Sequence, residues 1–479
     1  MKKAILTFFL TAVLILCGCA NVEMPEPEQS AVSKSVSEKI DEIVSTLPPA
    51  DDFQGETLTV LTSEASLFTY NESVAGTVKN AINQRGDVLQ SAYGMALEAK
   101  ACKESEAVKT LQNAVKSGVP AADLLCFSAE TTVQLQLAGL LSDLNDLPYF
   151  DAETALADNK NASELRYGNS LYLLPDPSTL PYEQTYVLFF NRDLVAQTGL
   201  EAPEAVVNRG AWTLDVCKQY CEAVAASVMN KSSADYKTDI FGLGCTENTT
   251  LLPDLLRQGA GIDCFSIENG LPVFNFKNAD ILDSRAESLK ALYNSRSRYP
   301  TDGIDPRKTF EAGRLGFYIE KLPYLYNLSA DCAFSYGVLP LPKNSEGSGY
   351  YSPTTKTARV YSAPQFVENE RRTGLGLMAM CLSGGKQFRD AELTTLLTLY
   401  SNDNDQSCML QAIVDSVGTD FGVMYGSGIK QIYNLSTGLF AETIGKGGKF
   451  KNEINEKLPA FTKFVDANFE ETLDESPEM

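Results

Sequence analysis

A chain of 479 residues is too long for one hydrophobic core, so two or more lobes are expected, and 44% apolar with 21% charged residues is an ordinary globular composition. The formal charge of −22 repels phosphate backbones and argues against nucleic acid as a partner. Histidine is absent, which removes Ser-His-Asp and Cys-His catalysis and the His-containing zinc sites. An enzyme built on this chain has only carboxylates, lysine, tyrosine or an all-oxygen metal site to work with.

The chain opens with Met1-Lys2-Lys3 and an apolar run at 4–16, the order of a secretory signal. Leu16-Cys17-Gly18-Cys19 follows and resembles the lipobox of bacterial lipoproteins. That resemblance implies a leader over 1–18, acylation of Cys19 and tethering to the outer face of a membrane. Residues 19–53, rich in Glu, Pro and Ser, form the expected tether. Within it a helix at 33–46 carries Val36, Ile40 and Ile43 on one face and stops at Pro48-Pro49.

Beyond the tether the pattern alternates. Apolar, β-branched 58–62 is a strand, 73–84 a helix followed by Gly86, 97–100 a second strand, 105–116 a helix capped by Ser105, and 123–127 a third strand. This β-α-β-α-β order predicts a doubly wound parallel unit whose ligands sit beyond the carboxyl ends of the strands. The positions concerned are Ser63-Glu64 and Ser128-Ala129-Glu130-Thr131.

The run at 186–190 is a buried strand, followed by a short helix stopped by Gly199 and Pro203. Thr213 caps the next helix, and Trp212 before it staples onto Cys217 one turn in. The stripe Leu214, Cys217, Cys221, Val224 and Val228 faces a core, so Cys217 and Cys221 are core residues rather than a metal pair. A helix at 281–293 continues this half; Pro340 and Pro342 cannot donate to a ladder, so a strand reaching them stops there or lies at an edge. The polar, Gly-rich stretch 347–357 is a crossing, and 374–382 is a helix returning to the first lobe. With Cys17 removed and Cys19 acylated, nine of the eleven cysteines remain; none forms a CxxC, and buried free thiols are expected.

The ordered set of Asn191-x-Asp193-Leu194, Gly199-Leu200, Pro203 and Trp212-Thr213-x-Asp215 resembles the second-lobe entry of the extracellular solute-binding proteins of ABC importers, sugar-binding type. Ala81-Ile82-x-x-Arg85, Lys116-Ser117-Gly118 before Asp123, Leu140-Leu141-Ser142-Asp143-Leu144, Gly313 to Phe317 and Gly337-Val338-Leu339-Pro340-Leu341-Pro342 are similar to further segments of that family, and Thr419-Asp420-Phe421-Gly422 to a segment of some members. In Tyr167-Gly168-Asn169-Ser170-Leu171-Tyr172, Ser170 replaces the family's lysine.

The resemblance implies an α/β, two-lobed periplasmic-binding-protein-like fold of type II, each lobe a mostly parallel sheet flanked by helices, joined by crossing hinge strands. The expected division is 54–175 plus 358–405 for lobe 1 and 176–357 plus 406–464 for lobe 2, with an acidic tail at 465–479. It further implies a monomeric receptor without catalysis or cofactor, which closes on a small solute, first a mono- or oligosaccharide, and delivers it to an ABC permease. By position the cleft residues are Ser63, Glu64, Ser128, Glu130, Tyr182, Glu183, Glu320, Tyr324 and Tyr350, with tyrosine rings for sugar faces and polar groups for hydroxyls. Two rival readings remain: a surface glycan hydrolase using a carboxylate pair, such as Asp143 with Asp146 or Glu368 with Glu370, and an adhesin that has kept the fold without its site.

Overall fold

The computed structural model describes residues 36–48, 53–69, 76–156, 165–300, 305–400 and 404–469; the expected leader, Cys19 and the end of the tail lie outside them. In chain order the strands are β1 (Thr57–Thr62), β2 (Ala96–Ala101), β3 (Leu124–Ser128), β4 (Leu141–Ser142), β5 (Tyr186–Asn191), β6 (Phe241–Cys245) and β7 (Phe265–Glu268). They continue with β8 (Leu271–Phe274), β9 (Leu315–Lys321), β10 (Tyr336–Leu339), β11 (Ser352–Pro353), β12 (Arg359–Pro364) and β13 (Val417–Gly418).

Two sheets organise the molecule. Lobe 1 holds the order β2-β1-β3-β12-β4, with β1 parallel to β2 and β3. The period-2 alternation of these strands splits its core into two layers. Leu58, Val60, Leu124 and Cys126 face the helices Thr77–Tyr93 and Glu370–Tyr400, while Leu61, Leu125 and Phe127 face the helix Ala107–Ser117. Lobe 2 holds β10-β5-β9-β6 around a core that includes Phe189, Phe190, Trp212, Cys217, Cys221 and Phe317.

Lobe 2 departs from the expected mostly parallel sheet: β5 runs antiparallel to both β9 and β10, and only β6 and β9 are parallel. In lobe 1 the strand β12 is likewise antiparallel to β3 and β4. The two exceptions share a cause. β5 and β12 are the strands the chain enters just after crossing from the other lobe. Each starts at the edge where β3 of lobe 1 and β9 of lobe 2 end, so it must run against them. The crossings are pinned by bridges between Leu174 and Tyr361 and between Thr185 and Thr354, and by the pair β11–β13.

Other differences are local. The helix Val36–Val44 is not a free spacer, because Ile40, Ile43 and Val44 pack on the lobe 1 core and Leu47 is buried. Ser105 falls in a 3₁₀ turn ahead of the helix Ala107–Ser117 and does not cap it. The helix at 281–293 is two helices, Ala279–Arg285 and Glu287–Tyr293, meeting at Ala286. Thr213 Oγ1 accepts from Val216 N as a cap, and β10 ends at Leu339, on the sheet edge, before Pro340. No disulfide forms among the nine described cysteines, and six of them are buried. Among the described residues no helix is long and apolar enough to cross a membrane.

Candidate functional site

Two adjoining cavities lie where the lobes meet the crossing segments. The larger, about 680 Å³, is walled by the start of β5 (Tyr186), the end of β9 (Lys321) and the helix Leu251–Gly259 through Leu251, Asp254, Leu255 and Gln258. The crossing residues Thr355, Lys356 and Thr357 and the segment from Val423 to Thr437, including Lys430 and Tyr433, complete it. The smaller, about 430 Å³, sits at the carboxyl ends of β1 and β3 and is lined by Ser63, Glu104, Ser128, Glu130 and Arg359 among others. Thr357 borders both, so they lie side by side. Both volumes are within the range of small-molecule sites.

Lobe 1 contributes a preorganised polar floor. Ser63 Oγ donates to Glu104 Oε1 at 2.8 Å, and Ser128 donates to the same carboxylate through its amide at 3.1 Å and its hydroxyl at 2.9 Å. Glu104 thereby ties β1 to β3. Ser128 Oγ in turn accepts from Thr131 N, capping the helix Ala129–Leu137. Glu130 pairs with Lys356 of the crossing at 2.7 Å. Arg359 at the start of β12 pairs with Glu183 at 3.0 Å and lies 3.9 Å from Glu64.

The lobe 2 wall is stiffened behind the cavity. Asp254 accepts from Arg257 Nε at 2.8 Å, and Arg257 reaches Asp420 at 3.0 Å; all three are buried. Asp420 also caps the helix Phe421–Gly426 by accepting from Val423 N, which gives the segment 419–422 a structural role. Burial pushes the Asp254 carboxyl up, against the pull of Arg257. Glu247 accepts from the amides of Thr249, Thr250 and Leu251 and so closes the helix N-terminus at the cavity rim. The π-turn Ala441–Gly445 presses on Thr249 from behind.

Of the residues expected in the cleft, Ser63, Ser128 and Glu130 line the lobe 1 cavity, and Glu64 and Glu183 flank it through Arg359. The others sit elsewhere. Tyr182 and Tyr324 are buried in the core that spans lobe 2; Tyr324 packs edge-on against Phe189 at 5.4 Å and donates to Glu311 at 3.0 Å. Glu320 is buried, accepting from Tyr318 Oη at 2.8 Å and pairing with Arg307. Tyr350 donates to Val207 O at 3.1 Å and accepts from Trp212 N at 3.4 Å, beside the staple rather than in the cavities. Trp212 itself is fully buried against Tyr220 and Phe317.

Sequence reasoning missed Lys321, Tyr186, Asp254, Lys430 and Tyr433. The first two carried a signal. Successive residues of a strand point to opposite faces, so choosing Glu320 at the end of β9 selects the face away from the cavity and leaves Lys321 unnamed. Tyr186 pairs with Lys321 in register and shares its face.

No family model and no curated relative matches the sequence. Solved structures do match in shape. One is a cyclo/maltodextrin-binding protein in complex with maltotetraose, with TM-score 0.56, 12% identity, and 88% of this chain and 100% of that one covered. A cyclic alpha-maltosyl-1,6-maltose binding protein from Arthrobacter globiformis gives 0.55 and 15%, over 86% and 99%. An extracellular solute-binding protein from Staphylococcus aureus, in complex with maltose, gives 0.54 and 13%, over 86% and 99%. The chain therefore has the α/β, two-lobed, type II periplasmic-binding-protein fold of these sugar-binding proteins.

Proposed function

We propose that the protein is a lipid-anchored, extracytoplasmic receptor of an ABC importer, which captures a carbohydrate between its lobes and presents it to a permease. The observation that carries this reading is the pair of cavities: one of about 680 Å³, walled by lobe 2 and a crossing segment, next to a polar floor on lobe 1, in a fold shared with sugar-binding proteins. Ser63, Ser128 and Glu130 on one side and Tyr186, Gln258, Lys321 and Tyr433 on the other are the groups offered to the solute. A solute touching both sides makes more contacts in the closed than in the open form, and that difference drives closure. Cys19 supplies the anchor, and the monomer is the working unit. The carboxylate pairs considered for hydrolysis support catalysis poorly. Asp143 is spent on the amides of Asn145 and Leu171, and Glu368 pairs with Arg372 at an exposed turn.

The test is a thermal-shift and calorimetric screen of protein beginning at Ala20, which keeps every residue of both cores, against mono- and oligosaccharides, amino acids and peptides. A solute at a hundred times its dissociation constant adds about 2.7 kcal/mol of stability. The expected result is a shift with one sugar class, no product on chromatography, and binding weakened severalfold by Tyr433→Ala, the loss of about 1 kcal/mol of ring contact. Cleavage of the sugar, or no shift with any solute in a folded protein, overturns the reading.

A further inference from the structure

The charged groups that line the larger cavity are unequally committed. Glu247 spends its carboxylate on three backbone amides, and Asp254 spends its own on Arg257, Gln258 and Thr437. Lys356 is neutralised by Glu130. Two cations are left. Lys321 Nζ donates at 2.6 Å to the side-chain oxygen of Gln184, a neutral amide, and Lys430 is exposed with no ion pair among the described residues.

Lys321 is the more telling of the two. It lies half-buried at the end of β9, with its ammonium 5.9 Å from the Tyr186 ring, and an ammonium carries three N–H donors. Burial lowers its hold on the proton below that of an ordinary lysine, with Glu320 opposing only in part. A half-buried ammonium held by one neutral acceptor is a donor waiting for an anion, whose arrival offsets the desolvation already incurred.

Resting on the receptor reading above, we infer that the solute carries an anionic group on its sugar, a carboxylate, sulfate or phosphate, seated against Lys321 and Lys430 while the Tyr433 ring covers an apolar sugar face. The cavity's own anions are satisfied within the protein and demand nothing cationic from the ligand.

The experiment is calorimetry on the protein beginning at Ala20 with matched pairs, glucuronate against glucose and galacturonate against galactose, as monosaccharides and short oligomers, with sulfated and phosphorylated sugars to tell the anions apart. The acid member of a pair is expected to bind about tenfold or more tightly than its neutral partner. Lys321→Gln and Lys430→Gln should each erase most of that preference, read as the ratio of acid to neutral affinity within the same variant. Lys430 is exposed, so its variant keeps the test alive if Lys321→Gln folds poorly. Equal or tighter binding of neutral sugars, or a preference that survives Lys430→Gln and Lys321→Gln, overturns the inference and leaves the receptor standing. Failure of every sugar, charged or neutral, overturns both.

Discussion

Glu392 offers a direct test of how the long helix Glu370–Tyr400 meets lobe 2. Its carboxylate, 7% exposed as a residue, accepts from Tyr326 Oη at 3.4 Å, and Tyr326 belongs to the lobe 2 helix Leu325–Asp331. Burial first, and the neighbouring Glu183 second, push this carboxyl up from 4.5 to about 7. Ionising it in the folded chain therefore costs about 3 kcal/mol more than in the unfolded chain. Below pH 4.5 both states hold the proton and nothing is lost. Between 4.5 and about 7 the unfolded chain releases the proton and the folded chain keeps it, so this group's contribution to stability falls as pH rises. Glu392→Gln is neutral throughout. Urea unfolding followed by far-ultraviolet circular dichroism at a series of pH values should find the two proteins nearly equal near pH 4.5 and the variant more stable by about 3 kcal/mol at pH 8. A difference that does not grow with pH refutes the reasoning.

Two further perturbations address the lobes separately. Arg372 bridges buried Asp123 at 2.6 Å and Glu56 at 2.7 Å, so Arg372→Leu removes the counter-ion of Asp123, leaving only the hydrogen bonds from Thr59, and should cost about 3–5 kcal/mol in denaturant unfolding. Adding Asp123→Asn should recover part of the loss, and simple additivity would show that the two side chains are not coupled. Gly445 ends the π-turn behind the cleft, where a Cβ would stand 1.9 Å from the carbonyl oxygen of Thr249. Gly445→Ala should destabilise by about 1–3 kcal/mol and, by moving the Thr249–Leu251 turn, weaken solute binding at the same time; unchanged melting and affinity would contradict that close approach.

What was legible in the sequence was local. The apolar run that became β5, the Thr213 cap, the buried Trp212 and the proline stop after β10 each depend on neighbours a few residues away. Glycines misled the helix boundaries. Gly86 lies inside the helix Thr77–Tyr93, and the glycines of Glu370–Tyr400 are places of close packing rather than punctuation: a Cβ on Gly376 would meet Leu58 at 2.5 Å, and one on Gly374 would meet Pro148 O at 2.0 Å. The lobe 1 floor was readable because strand ends in a parallel sheet converge there. The lobe 2 wall was not, since the helix 251–259 and the segment 423–437 reach the cleft only through packing between residues far apart in the chain.

The place of β12 between β3 and β4 carries a consequence for biogenesis. A chain made or threaded from its amino end presents β1 to β4 early, but β3 and β4 do not bond each other; they wait for residues 359–364 to fill the gap. Until then the first lobe has a slot in its sheet and lacks the helix Glu370–Tyr400 that covers Leu58 and Val60. The late strand acts as a keystone. It postpones closure of the first lobe until most of the second has been made.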